Sequence, residues 1–407
     1  MATESSSSSV SSLALSRHLQ KLEAMSGNLP PDIMLEILHR LPPKSLVRFT
    51  SVCKSWISLI KDHSFISDHL NRTVQPRNGN SFLLLQLHTD NYPKFYSLHS
   101  YNKKTNSFSS ERFSFPPQPQ LCGYSTVVGT CNGLVCFAQH SIVYFSTLII
   151  WNPSLRKFLS LRRPIMYRSN RINEHVQYQY RLLYGFGFDP MNTDYKVIRL
   201  VVLNNEQDSP LVEVYSLTSC SWRRISVRVP LFFIPVHLKK IPQMFVNGAL
   251  HWVVSRRLPG GKVQNFILSF DVVGETFGEL MLPQQLNESP FMVSILEGGH
   301  QLALVHTYSK KNIDFFSIWV MKEYGIVESW TEILRRDLKR YGGIRTVLAL
   351  TTSGKVMLRL CSGAIVLLDP MEDTVKPLAD QEHFHAFAGP YVESLFFMNK
   401  KIDVVSY

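Results

Sequence analysis

A few clusters in this sequence have the residue types that chemistry needs. Cys131 and Cys136 are close enough to share a metal ion, but no second pair accompanies them. A structural zinc site takes four ligands, so buried thiols are the plainer reading. His383 and His385 can share one face of a strand, yet two histidines read more simply as a solvated or turn-lining pair. Gly185 and Gly187 in Tyr184-Gly185-Phe186-Gly187-Phe188 resemble a phosphate loop only superficially, because no Lys-Ser/Thr follows. We read them as turn glycines. Glu323 and Glu328 are spaced like a carboxylate pair, but the residues around them read as a solvated hairpin. No Gly-x-Ser-x-Gly is present. Trp151, Trp222, Trp252 and Trp330 recur at repeat-like positions, which suits core better than a ligand platform. No catalytic residue, metal or cofactor is expected from this inventory.

Composition sets the frame for whatever positions these residues. The chain has 407 residues, 45% hydrophobic and 12% aromatic, enough for one large domain and a small one. No run of about twenty apolar residues suggests a membrane span. The Ser-rich start lacks a basic-then-apolar signal, so residues 1–25 are expected to be a disordered tail. Six scattered cysteines give no disulfide framework, which fits a cytoplasmic or nuclear protein with reduced thiols. In that compartment the glycosylation-like Asn71-Arg72-Thr73 and Asn287-Glu288-Ser289 carry no meaning. The net charge is +12. Residues 26–70 are almost neutral, so the excess lies downstream, densest at Arg156 to Arg171, Arg223-Arg224, Lys239-Lys240 and Arg335 to Arg345. Such surface attracts nucleic acid or acidic protein, and no nucleic-acid motif accompanies it.

The pattern changes near residue 75. Before it, Ile33, Met34, Ile37, Leu38 and Leu41 form one helical face. Pro30-Pro31 suits the helix entry and Pro42-Pro43 its end. Leu46, Val47 and Phe49, then Val52, Cys53, Trp56, Leu59 and Ile60, then Phe65, Ile66 and Leu70 continue in short helical stripes. Three or four short helices in about forty-five residues are near the limit of independent folding. They carry more apolar side chains than their own core needs. Periodicity alone leaves two readings open: packing onto the downstream domain, or a face for a partner.

After residue 75 a β-rich unit recurs. Phe95-Tyr96-Ser97 leads to Ser107-Phe108, and Ile149-Ile150-Trp151 to Lys157-Phe158. Val212-Glu213-Val214-Tyr215 leads to Ser221-Trp222, and Ile267-Leu268-Ser269-Phe270 to Thr276-Phe277. Ile318-Trp319-Val320-Met321 leads to Ser329-Trp330, and Ile365-Val366-Leu367-Leu368 to Asp373-Thr374-Val375. The roughly fifty-to-sixty-residue period suggests propeller blades with the aromatic between neighbours; a β-sandwich is the alternative. Asn132-Gly133 and Asn247-Gly248 between apolar runs signal hairpins.

The early segment resembles an F-box. The match runs through Leu29-Pro30-Pro31-Asp32-Ile33-Met34-Leu35-Glu36-Ile37-Leu38, Arg40-Leu41-Pro42-Pro43-Lys44-Ser45-Leu46 and Val52-Cys53-Lys54-Ser55-Trp56. It departs at Pro43, where relatives often have a β-branched residue, a change a helix start tolerates. The rest resembles the F-box-associated domain of plant F-box/kelch-type proteins, through Cys131-Asn132-Gly133-Leu134, Ile150-Trp151-Asn152-Pro153-Ser154, Tyr184 to Pro190 with Asp194-Tyr195-Lys196-Val197, and Asn247 to Trp252. The resemblance implies a mainly β chain: an F-box at 26–72 and a β-propeller-like substrate-binding domain at 75–407. It also implies a substrate adaptor of the SCF ubiquitin ligase, itself no enzyme. Leu29, Pro30, Ile33, Ile37, Leu41, Pro42, Leu46, Val47, Cys53 and Trp56 would bind the Skp-type linker, through it the cullin–RING ligase, or support that contact. The other readings are a scaffold that binds the linker without delivering substrate, and a propeller enzyme or glycan-binding lectin. The target-binding residues are expected on loops of 75–407, since loops on a rigid scaffold carry binding.

Overall fold

The computed structural model describes residues 30–74, 82–87, 95–102, 107–114, 123–141, 147–165, 180–203, 209–234, 243–287, 293–298, 301–310, 313–351, 354–379, 385–399 and 404–406. The tail expected at 1–25, Leu29 and His383 lie outside these residues.

Four short helices come first: α1 (Pro31–Arg40), α2 (Pro43–Phe49), α3 (Lys54–Ile60) and α4 (His63–Val74). Proline sets both of the first two starts. Pro31 and Pro43 open α1 and α2, where a missing N–H costs nothing. Leu41, ahead of Pro42, is pushed to an extended conformation that ends α1. Pro43 is thus the start of the second helix, and it is buried. Cys53 caps α3 by accepting the Trp56 N–H at 3.5 Å. Asp62 accepts the N–H of Ser64 at 2.9 Å where α4 begins.

Six antiparallel sheets follow among the described residues. The first holds β1 (Phe82–Leu87), β2 (Phe95–Asn102) and β3 (Ser107–Ser114); the second β4 (Gly123–Cys131), β5 (Leu134–Ser141), β6 (Thr147–Asn152) and β7 (Lys157–Ser160). The third is β8 (Tyr180–Asp189), β9 (Asp194–Leu203), β10 (Leu211–Ser216) and β11 (Ser221–Ile225); the fourth β12 (Met244–Val246), β13 (Ala249–Arg257), β14 (Val263–Asp271) and β15 (Thr276–Met281). The fifth is β16 (Val293–Gly298), β17 (Gln301–Lys310), β18 (Ile313–Met321) and β19 (Trp330–Asp337); the sixth β20 (Ile344–Leu350), β21 (Val356–Leu360), β22 (Ile365–Asp369) and β23 (Thr374–Ala379). Two late strands return to early sheets. β24 (His385–Pro390) pairs with β1 as the inner strand of the first, and β25 (Val404–Ser406) adds to β7 at the outside of the second.

The inner strands β24, β4, β8, β12, β16 and β20 neighbour one another in a closed ring. The domain is therefore a β-propeller of six blades and not a sandwich. Each of the six recurring sequence units is the outer hairpin of one blade, from β2–β3 to β22–β23. The apolar clusters lie between blades: one joins blades 2 and 3 through Ile150, Leu159, Phe186 and Tyr215, another joins blades 3 and 4 through Val212, Val214, Phe266 and Leu268.

The tryptophans lock these joints. The Trp222 indole donates to the Arg162 carbonyl at 2.6 Å, Trp252 to Tyr184 at 2.8 Å and Trp330 to Met281 at 3.3 Å. Each reaches the preceding blade, so a large apolar ring is buried with its N–H satisfied. The same joint explains Gly185 and Gly187, and corrects the turn reading. Both lie inside strand β8. A Cβ on Gly185 would stand 2.6 Å from the Trp252 ring, and one on Gly187 2.8 Å from Phe245. These glycines make room for aromatics of the next blade. The Asn-Gly pairs are hairpin turns, with φ of 49° and 78° at Asn132 and Gly133, and 52° and 75° at Asn247 and Gly248.

Strand direction gives the ring two ends. Inner strands finish, and outer hairpins turn, at one end; the connections between blades leave from the other. The helices sit at the first, the helix end, against Leu155 of the β6–β7 turn and Leu395 and Met398 after β24. The second is the open end.

Candidate functional site: the bare face of the helical module

The helices are held to each other by polar links at their edges. Glu36 of α1 pairs with Arg40 at 3.0 Å and with Arg72 of α4. These two arginines keep the Glu36 carboxyl below its ordinary pKa. The His69 Nε2 lies 2.9 Å from the Leu41 carbonyl oxygen, left over where α1 ends. His39 stacks on Phe65 with ring centroids 4.5 Å apart. Burial, with the Arg72 charge adding to it, lowers the His39 pKa to about 4, so the ring is neutral.

One side of this module is covered. Leu38, Leu46, Leu59, Ile60, Phe65 and Ile66 form a single apolar cluster with Leu395 and Met398 of the propeller. Burying each such side chain stabilises the joint by about 1.5–3 kcal/mol. The other side is bare. Ile33 is 50% exposed, Ile37 47%, Val47 38% and Val52 60%. Ile33 and Ile37, four residues apart, lie on one stripe of α1. Isolated exposed residues are ordinary, but here four large aliphatic ones fall within twenty residues.

The residues expected to bind or support a partner divide accordingly. Pro30, Ile33, Ile37, Pro42 and Val47 are exposed. Leu41, Cys53 and Trp56 are half-buried, Cys53 as the α3 cap and Trp56 edge-on to Phe49 at 5.1 Å. Leu46 has no exposed surface and acts as support. The surplus that periodicity left undivided thus splits in two, part packed in the propeller joint and part on open surface. Val52, the most exposed of the four, was assigned to a helical stripe by its sequence. It lies in the turn between α2 and α3, and Thr50-Ser51 just before it was the available signal.

The remaining chemical candidates are scattered. Cys131 and Cys136 are buried, and burial pushes the Cys136 thiol far up from its ordinary pKa. A thiol so placed is inert. Glu323 and Glu328 are exposed in the turn between β18 and β19. His385 opens β24. His251 is fully buried, with Nε2 2.8 Å from the Tyr324 hydroxyl, and burial lowers its pKa to about 4. Among the described residues, no group of three or more His, Cys, Asp or Glu could hold a metal ion, and no helix is long and apolar enough to cross a membrane. The strongest polar cluster is a latch between blades. Lys196 reaches Asp189 at 2.7 Å, Glu275 at 2.9 Å and the Val272 carbonyl at 2.9 Å. Burial opposes charge on Lys196, but the two carboxylates outweigh it and raise its pKa.

Comparison with known proteins bears on both parts. Residues 27–68 match the F-box domain, and residues 85–361 match the F-box associated beta propeller domain. The chain belongs to the F-box proteins with an associated propeller. An F-box/kelch-repeat protein of Arabidopsis thaliana is 31% identical over 312 residues, 75% of this chain and 79% of that one. The F-box protein CPR1 of the same plant is 27% identical over 401 residues, covering 93% and 91%. Among solved structures, the chain is similar to the β-propeller domain of the Trilobed protease from Pyrococcus furiosus. The identity is 11%, the TM-score 0.36, and the coverage 74% of this chain and 85% of that one. In this F-box protein, the bare stripe lies on α1 and α2, on a module whose other side packs on the propeller.

Proposed function

We propose that this F-box protein is the substrate-recruiting subunit of an SCF-type ubiquitin ligase. The bare stripe of Ile33, Ile37, Val47 and the neighbouring Val52 docks the Skp-type linker, and the propeller holds a target protein. The observation that carries this reading is the two-sided helical module, packed on the propeller on one side and apolar on its outer side. Through the linker, the cullin–RING core brings a charged ubiquitin-conjugating enzyme beside the target. Tethering raises the effective concentration of the target lysines, so the adaptor needs no nucleophile. We place this action in the cytoplasm or nucleus.

The test is co-purification with the Skp-type linker from cells. Wild-type chain retains the linker, and Ile33→Asp with Ile37→Asp loses it while the propeller stays folded by circular dichroism. Retention by the double variant overturns the docking assignment. Target accumulation on loss of the protein separates delivery from mere scaffolding, and unchanged half-lives across the proteome overturn delivery. Propeller-dependent turnover of a small substrate in the purified full chain overturns the non-catalytic reading.

A further inference from the structure

Blades 3 and 4 carry opposite charge at their two ends. At the helix end stand Asp189, Asp194, Asp271 and Glu275, met by Lys196 and Arg223. At the open end stand Arg181, Arg228, Arg256, Arg257 and Lys262. Among the described residues of these two blades, the carboxylate at the open end is Glu279, already paired with Arg256 at 2.8 Å. Glu213 and Arg199 lie mid-blade, paired with each other and buried, so they contribute to neither end. Among the described residues the open end of these blades is thus predominantly basic, and a surface of this kind draws an oppositely charged partner from a distance.

The open end of these blades also has a built shape. After β11 the chain crosses to blade 4, with Val229, Phe232 and Ile234 buried beneath it. Phe233 pairs with Ser255 of β13 through backbone bonds of 2.7 and 3.1 Å. The Arg181 guanidinium donates to the Ile234 carbonyl, and Arg257 lies 5.2 Å over the Phe233 ring. Around this crossing, Leu231 is 49% exposed, Leu258 37% and Val263 39%. Exposed aliphatic side chains thus stand among arginines on a pinned segment. Arginine grips carboxylates in a planar fork, and apolar side chains beside it favour a peptide over a bare polyanion.

We infer that the open end of blades 3 and 4 binds an acidic protein segment, one rich in Asp and Glu with apolar residues among them. This inference rests on the adaptor reading, in which the propeller receives the target. It sharpens that reading by naming the chemistry of the target and the end of the ring that takes it.

The experiment uses the full chain with its linker and a fluorescent peptide of about a dozen Glu and Leu residues, followed by anisotropy. The wild type binds the peptide, and binding weakens as NaCl rises from about 0.05 to about 0.5 M. Combining Arg228→Glu, Arg257→Glu and Lys262→Glu weakens it about tenfold or more. Combining Arg156→Glu and Lys322→Glu, at the helix end, changes it less than about twofold. Linker co-purification by the triple variant shows that it is folded. Equal peptide binding by the triple variant overturns the inference, as does no binding by wild type. Tighter binding of duplex DNA, or of vesicles containing phosphatidylserine, also overturns it. Loss of linker binding in wild type would sink the adaptor reading and leave the peptide result standing by itself.

Discussion

The two sides of the helical module are built from the same residue types and do opposite things. Leu38, Leu46, Ile60 and Phe65 vanish against the propeller; Ile33, Ile37, Val47 and Val52 face outward. Leu46 and Val47 are adjacent in one helix, yet the first is fully buried and the second is not. The comparison teaches that the fate of an apolar side chain here is set by how the helices dock, not by its own hydrophobicity. Residues on the covered side should govern stability and residues on the bare side should govern association.

The largest effect separating the two sides is expected at Leu46. Leu46→Ala removes a fully buried side chain from the joint and should cost about 2–5 kcal/mol in chemical denaturation. A loss below about 1 kcal/mol would mean that the covered side is not sealed. Next comes acid. His39 and His251 are both held neutral, with pKa lowered from 6.5 to about 4 by burial. Between these values the unfolded chain binds protons that the folded chain refuses, so stability rises with pH through this window and falls on acidification. Going from pH 7 to pH 5 should cost about 2 kcal/mol for each ring. His39→Phe should flatten half of that dependence in melting curves, and an unchanged profile would contradict a buried neutral His39.

A smaller loss, about 1–2 kcal/mol, is expected for Trp330→Phe, which removes the indole bond to the Met281 carbonyl between blades 4 and 5. It should leave linker binding unchanged, since the bond is remote from the helices. The smallest stability change belongs to the bare side: Ile33→Asp with Ile37→Asp should move the denaturation midpoint by less than about 0.5 kcal/mol. The same pair should abolish linker co-purification. A large stability loss there would erase the distinction between the two sides.

Much of this architecture was legible in the residues. The outer hairpins announced themselves because four of the six pair a β-branched run with an aromatic, from Ile149–Phe158 to Ile318–Trp330. The helices were bounded by prolines whose effect is local. Other features depend on distant chain and left no local mark. Blade 1 is completed by β24, about three hundred residues after β1, and nothing near Phe82 foretells that partner. Gly185 and Gly187 looked like turn glycines because the rings that need their space, Trp252 and Phe245, belong to another blade. The division between Leu46 and Val47 was hidden for the same reason: Leu46 joins a cluster that includes the distant Leu395 and Met398. The charge excess was visible as a total, while its sorting within blades 3 and 4 required the strand directions.

The seat of the helices has a temporal consequence. Leu395 and Met398 are synthesised more than three hundred residues after Leu38 and Leu46, with which they share an apolar cluster. On the ribosome, the helices therefore emerge long before their foundation exists, with both apolar sides uncovered. Asn152, which donates to the Ser394 and Phe396 carbonyls at 3.0 and 2.7 Å, waits equally long for the strand end that satisfies it. A ribosome that stalls in the last blade would release a chain with a recognisable docking module and no fixed distance to anything it holds.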